Sequence, residues 1–422
     1  MMNLRQWVKI IFLPFICAAV GCALLFIVSC IPDSLIKENS SRSAAELKNM
    51  GAWSVLINED DPSCTLDTYT DQQIIMEAYT LSRSNPGSVL LNPRHWTEDE
   101  SQLGSFDALI NQSAPLNSSY FRYWMGFRVF VRPLLVFTDY YGMLKLVGAV
   151  LLFLSFCTAA AIGRIKDIYT AACFALAIAL VNPAVVAQSL QFSCCFILSL
   201  LFMLIVLKIR KREKLFCPVF CFFGIATQFF DFYTTPLLCF GFPIMLLLCF
   251  LPHSKLRWII TAKTAVCWFF GYVSMWIVKL LLTSLFTVEN GFADGFNSLA
   301  GRLGIKVVEG LEEMYDARAA LQSVWWLSCP GDNEKLFFII LSALVFISAL
   351  VIFRKEGFNV MFSCGCHLAV ALMPVIWFCC AAQPTLIHSW FQYRSIAVLF
   401  AGIFLFSVQS LSYINPKKAR RY

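Results

Sequence analysis

Asp67 and Asp71 stand four residues apart in LDTYTDQQIIMEAY, residues 66–79. On a helix that spacing puts both carboxylates on one face. Such a pair could act as general base or as metal ligand at a membrane surface. The spacing equally suits a capped surface helix, with Asp67 as the N-cap. Glu59, Asp60 and Asp61, just upstream, read as a solvated acidic turn.

A second constellation is cationic. Arg122, Arg128 and Arg132 alternate with Tyr123, Trp124, Phe127 and Phe130 between Ser118 and Phe137. The pattern predicts an amphipathic helix lying in the membrane interface. A guanidinium grips phosphate in a two-pronged fork, or simply snorkels to headgroups. Further along, Gln188 and Gln191 follow Asn182-Pro183, and Asp231 and Tyr233 sit in QFFDFYTTP. Asp294, Asn297 and Arg302 lie in NGFADGFNSLAGRLG, and His388, Tyr393 and Arg394 in HSWFQYR. A charge at the end of a membrane span is costly unless paired or wet. Arg394 therefore needs an anionic partner or water; a lipid phosphate would serve, and so would Asp231 as an ion pair.

The elements that must hold these residues are membrane spans. Of 422 residues, 59% are hydrophobic and only 14% charged, with 40 Phe and 11 Trp. Soluble domains carry about 25% charged residues, so a polytopic membrane protein is the one class that fits. Disorder, collagen and a secreted disulfide scaffold are excluded. Spans of about 20 apolar residues fall at roughly 8–30, 143–162, 168–187, 191–207, 215–230, 234–251, 258–286, 336–353, 358–381 and 390–411. The fold class is thus all-α, with about ten transmembrane helices.

Basic residues orient these spans. Arg5, Lys9, Arg164, Lys166, the Lys208–Lys214 cluster, Lys255, Arg257, Arg354, Lys355 and the tail Lys417, Lys418, Arg420 and Arg421 all fall on one side. The short loops 182–191, 231–236 and 382–389 on the other side hold no Lys or Arg. The positive side is cytoplasmic, so both termini are expected inside. The N-terminal stretch reads as an anchor and not as a cleaved signal. The chain then divides into the anchor 1–30, a large first extracytoplasmic loop 31–142, spans over 143–286, a second outer loop 287–335, spans over 336–411 and a basic tail 412–422. The net charge of +7 is mainly a topological device, and no nucleic-acid partner is expected.

Most of the 18 Cys lie within spans, where they act as small apolar residues. Cys64 and Cys329 fall in outer loops and could pair. Four His without metal spacing, and no phosphate-binding glycine loop, argue against a zinc site or a nucleotide-driven domain.

Taken together, several stretches resemble the bacterial multi-pass membrane proteins with a GT-C-like glycosyltransferase layout. They are the Asp-Tyr-Thr-Asp region at 67–71, YFRYWMGFRVFVRPLL, SLQFS at 189–193, FFDFYTTPLLCFGFPIMLL at 229–247 and HSWFQYR. The resemblance implies a sugar moved from a polyprenyl-phosphate donor to an envelope glycan or lipid acceptor on the outer face of the plasma membrane. It gives Asp67 or Asp71 the carboxylate role, as base or as organiser of a divalent cation such as Mg or Mn. Arg122, Arg128, His388 and Arg394 become donor-phosphate candidates. Tyr123, Trp124, Gln191, Asp231, Tyr233 and Tyr393 become substrate-binding candidates. Such carboxylates usually follow the first span closely, whereas Asp67 lies well beyond it. The competing readings are a transporter or flippase for a lipid-linked saccharide, kept alive by Lys263 and Lys279, and a non-catalytic envelope assembly subunit.

Overall fold

The computed structural model describes residues 4–81, 90–91, 94–95, 104–111, 118–305, 315–329 and 333–414. The basic tail beyond 414 lies outside them. Among the described residues, eight helices are long and apolar enough to cross a bilayer. These are α1 (Leu4–Ser29), α6 (Tyr140–Ile165), α8 (Leu190–Ile209), α9 (Glu213–Phe230), α11 (Leu256–Phe286), α14 (Glu334–Glu356), α15 (Phe358–Cys380) and α16 (Ser389–Gln409). The segment 31–142 contributes α2 (Asp33–Met50), α3 (Thr68–Thr80), α4 (Gly104–Asn111) and α5 (Arg128–Leu134). The segment 287–335 contributes α12 (Gly291–Arg302) and α13 (Ala317–Leu327).

Two of the expected spans are short. They are α7 (Ile168–Ala179), of 12 residues, and α10 (Leu238–Leu248), of 11. At 1.5 Å per residue they cover about 18 and 16 Å of a ~30 Å core. α7 stops where Asn182 adopts a left-handed φ of 54° and Pro183 opens a one-turn helix. At both places the chain still runs from one end of the bundle to the other. Asp71 binds the start of α6 through Tyr140 and the start of α8 through the Leu190 and Gln191 amides. Those two starts therefore share one end of the bundle, and 166–189 must run back along it. Beyond α10, Phe250 lies under Lys166 and Arg210 at the opposite, basic end. Cation–aromatic contacts of this kind suit the interface. α10 itself is buried on every residue, so it needs no lipid-facing length.

Close helix packing in a membrane depends on small residues, because no hydrophobic force separates helix from lipid. A Cβ on Gly224 of α9 would sit 2.0 Å from the Trp268 carbonyl of α11, and one on Gly271 would sit 2.1 Å from the Cys221 carbonyl. The two glycines let α9 and α11 run in parallel with backbones touching. Gly402 of α16 plays the same part against His367 and Ala371 of α15.

The segment 31–142 has its own apolar core, Ile36, Leu47, Ile75, Met76, Phe106 and Leu109, continuous with Tyr140 and Met143 of α6. Burying each such side chain contributes about 1.5–3 kcal/mol. The amphipathic helix expected over 118–137 is the shorter α5, ended near Pro133. Arg132 on it is fully buried and donates to the carbonyls of Val28, Ile31, Ala78 and Tyr79 and to Asp33. It thus ties the exit of α1 to the end of α3, and is not a lipid-facing cation.

Candidate functional site

At the end of the bundle opposite Lys166 and Arg210 lies a cavity of about 400 Å³. Its walls come from the 120–127 loop, α9, the turn after it, α11, α12, α15 and the start of α16. Arg122 and Arg302 supply charge, Gln228 and Gln392 supply amides, and Tyr123, Tyr233, Tyr272, Trp276 and Trp377 supply rings.

Local sequence explains how these groups meet. The stretch Tyr123–Phe127 is pressed onto the end of α9, with the Gly126 amide donating to the Phe229 carbonyl at 3.0 Å. A Cβ at Gly126 would lie 2.4 Å from the Phe229 ring, so only glycine fits there. Met125 beside it has φ 53°, and Tyr233 has φ 62°. Bulky residues rarely take this left-handed region, and such outliers gather at functional sites. The outlier at Tyr233 turns its ring between Tyr123, at 5.4 Å, and Tyr272, at 6.0 Å. The Gln228 amide donates to the Tyr233 hydroxyl at 3.0 Å.

Arg302 ends α12. Its guanidinium lies 5.0 Å from the centre of the Tyr233 ring and donates to the Tyr123 hydroxyl at 2.6 Å. A guanidinium carries five N–H donors, so Arg302 can still grip an anion. Arg122 Nη1 donates to both carboxylate oxygens of Asp294 of α12, at 2.9 and 3.0 Å, and its Nε has no partner. The cavity therefore presents cations and aromatic faces together: a place for an anionic group next to a ring-stacking one.

Three of the sequence-predicted site residues, Arg122, Tyr123 and Tyr233, line this cavity. Asp231 is adjacent and buried, with Oδ1 accepting from the Thr234 amide and hydroxyl. Burial raises its carboxyl pKa, against those donors. His388 stacks on Phe391 at 5.1 Å, and burial, then Arg302, pushes its imidazole down to about 4. At neutral pH it is uncharged and can offer phosphate only a neutral N–H.

The others lie elsewhere. Asp67 caps α3, accepting from the Thr70 amide and hydroxyl at 2.8 Å each. Asp71, 1% exposed, accepts from the Leu190 and Gln191 amides, the Ser189 hydroxyl and the Tyr140 hydroxyl. Burial pushes Asp67 up to about 6 and Asp71 up to about 7, in both cases against these donors. Gln191 joins the Asp71 clasp through its backbone. Arg128 is buried against the carbonyls of Leu90, Trp124 and Met125, and burial lowers its pKa to about 10. The Trp124 indole donates to the Met275 carbonyl. Arg394 does not pair with Asp231. It donates to the Ser63 and Trp390 carbonyls and lies over the Phe192 and Tyr393 rings, at 4.7 and 4.9 Å. Cys64 and Cys329 are free thiols, and Cys64 contacts the Asn182 amide instead.

Sequence reasoning passed over Gln228, Tyr272, Trp276, Trp377 and the central role of Arg302. Gln228 did carry a signal, as a polar group near the end of an apolar stretch. Among the described residues no three His, Cys, Asp or Glu side chains are grouped to hold a metal ion. Asp294 is already neutralised by Arg122, and Asp71 has four donors. The site does not fit a divalent cation. Comparison with known proteins identifies no relative: no family model, no curated protein and no solved structure matches the chain.

Proposed function

We propose that the protein is an integral membrane glycosyltransferase that moves a sugar from a polyprenyl-phosphate donor to a cell-envelope acceptor. The observation that carries this reading is the Arg302–Tyr123–Tyr233 cluster, a cation set among aromatic platforms in a cavity bordered by apolar span residues. Arg302 and Arg122 meet the donor phosphate. The rings of Tyr233, Trp276 and Trp377 stack on the sugar. In transfer, an acceptor hydroxyl oxygen bonds to the anomeric carbon, the bond from that carbon to the phosphate oxygen breaks, and polyprenyl phosphate leaves. Arg302 stabilises the charge that develops on the leaving oxygen. The reading assigns the acceptor's proton to Asp294, the carboxylate paired with a cavity-lining arginine, in place of Asp67 or Asp71. It also sets the cavity on the outer face of a bacterial plasma membrane, with both termini in the cytoplasm, on the positive-inside pattern.

Transport of a lipid-linked saccharide draws little support. Lys279, one of the two midspan cations that recommended it, is buried and donates to the Leu91 carbonyl, away from the cavity. Comparing envelope glycans with and without the protein tests the proposal. Loss of a sugar from a surface glycan is the expected result. Accumulation of an inward-facing lipid-linked saccharide, with the sugar still present elsewhere, would point to a flippase.

A further inference from the structure

Gly291 packs on Leu280 and Ser284 of α11, Gly295 on Leu280 and Trp276, and the Phe296 ring lies 6.0 Å from that of Trp276. At the other end of α12, Leu299, Arg302 and Leu303 share the cavity with Phe269, Tyr272 and Val273. The contacts thus move from residue 284 to about residue 270 of α11, and α12 descends along α11 toward the bilayer. α11 has 31 residues, about 46 Å at 1.5 Å per residue, so its last turns stand above a ~30 Å hydrocarbon core. α12 starts beside those last turns and ends at the level of the outermost span residues.

Its outward face is apolar. Phe296, Leu299 and Leu303 are 53%, 39% and 44% exposed, and Ile305 follows them. In water such a strip would be a costly patch. It is continuous with the bilayer-facing side of α11, where Phe269 is 63% exposed, and with the exposed Cys380 of α15. Phe269, Trp377, Cys380, Leu299 and Leu303 all border the cavity, so its mouth opens sideways, between α11 and α15 and beneath α12.

We infer that the lower half of α12 is seated in the outer leaflet, with Phe296, Leu299 and Leu303 against lipid chains, so that the cavity is filled laterally by a tailed lipid. Arg302, on the next turn, then stands at phosphate depth. The inference goes beyond sugar transfer, since it holds for any phosphate-bearing lipid that the cavity takes.

Photocrosslinking tests it. Leu299→p-benzoylphenylalanine is made in the full chain, reconstituted in vesicles of phosphatidylglycerol and phosphatidylethanolamine, and irradiated. The same replacement at Phe269 supplies the lipid-facing comparison, and at the exposed outer-loop residue Asn58 the aqueous one. The expected result is a mass increase of one phospholipid at Leu299, in yield comparable with Phe269 and absent at Asn58. A Leu299 variant that behaves like Asn58, or that captures protein instead of lipid, overturns the inference. Neither result depends on whether a sugar is transferred.

Discussion

The Tyr140 hydroxyl donates to Asp71 Oδ2 at 2.9 Å, joining residues 69 positions apart. The same carboxylate caps α8 through two backbone amides. A carboxylate at a helix N-terminus is favoured by orphan amides and by the helix dipole. Asp71 is therefore the clasp that seats the segment 31–142 on the starts of α6 and α8.

Asp71→Asn turns an amide N–H toward donors that need an acceptor. It should destabilise by about 2–4 kcal/mol, read as a lower thermal midpoint in detergent. Tyr140→Phe should cost only about 1 kcal/mol. An Asp71→Asn protein of unchanged stability but lost activity would restore the chemical role that the sequence suggested.

Asp67 sets a pH dependence. Burial pushes its carboxyl from 3.8 up to about 6, so the folded state binds the proton more tightly than the unfolded chain. Stability at this locus is full below about 3.8 and is lost as pH rises through about 6. Asn at this position still caps Thr70 but does not titrate. Asp67→Asn should remove a slope worth on the order of 2 kcal/mol across that window. Melting curves of wild type and variant that stay parallel over the window would contradict this.

Gly224 and Gly271 allow α9 and α11 to touch. Gly224→Leu must push the helices apart, and should cost about 3 kcal/mol or more, read as loss of monodisperse protein. Gly301→Ala on α12 has nothing within 4 Å and should be neutral or stabilising by up to about 1 kcal/mol. Equal yields of the two variants would show that the close approach is not required.

Much of the membrane architecture was legible in residues 8–30, 143–162 and 336–353, where hydropathy alone identifies a span. The capping role of Asp67 was legible from its position before TYTD. The lengths of α7 and α10 were not, because a buried helix is as apolar as a lipid-facing one, and the left-handed turn at Asn182 has no hydropathy signature. The partners of Arg128, Arg132 and Arg394 were not legible either, because most of them are backbone carbonyls, invisible as residue types. The cavity eluded the sequence for a related reason. Arg122, Gln228, Tyr272, Arg302 and Trp377 belong to five separate stretches, and only the fold brings them together.

Under the proposed function, Arg302 holds a lipid phosphate in the cavity. Trp276 and Trp377 line that cavity, so their fluorescence reports its occupancy. Titrating nanodisc-embedded protein with polyprenyl phosphate should quench or shift this signal. In Arg302→Gln the apparent Kd should rise about ten-fold or more, equivalent to about 1.4 kcal/mol or more, with thermal stability unchanged. Arg302→Gln binding as tightly as the wild type would contradict the account.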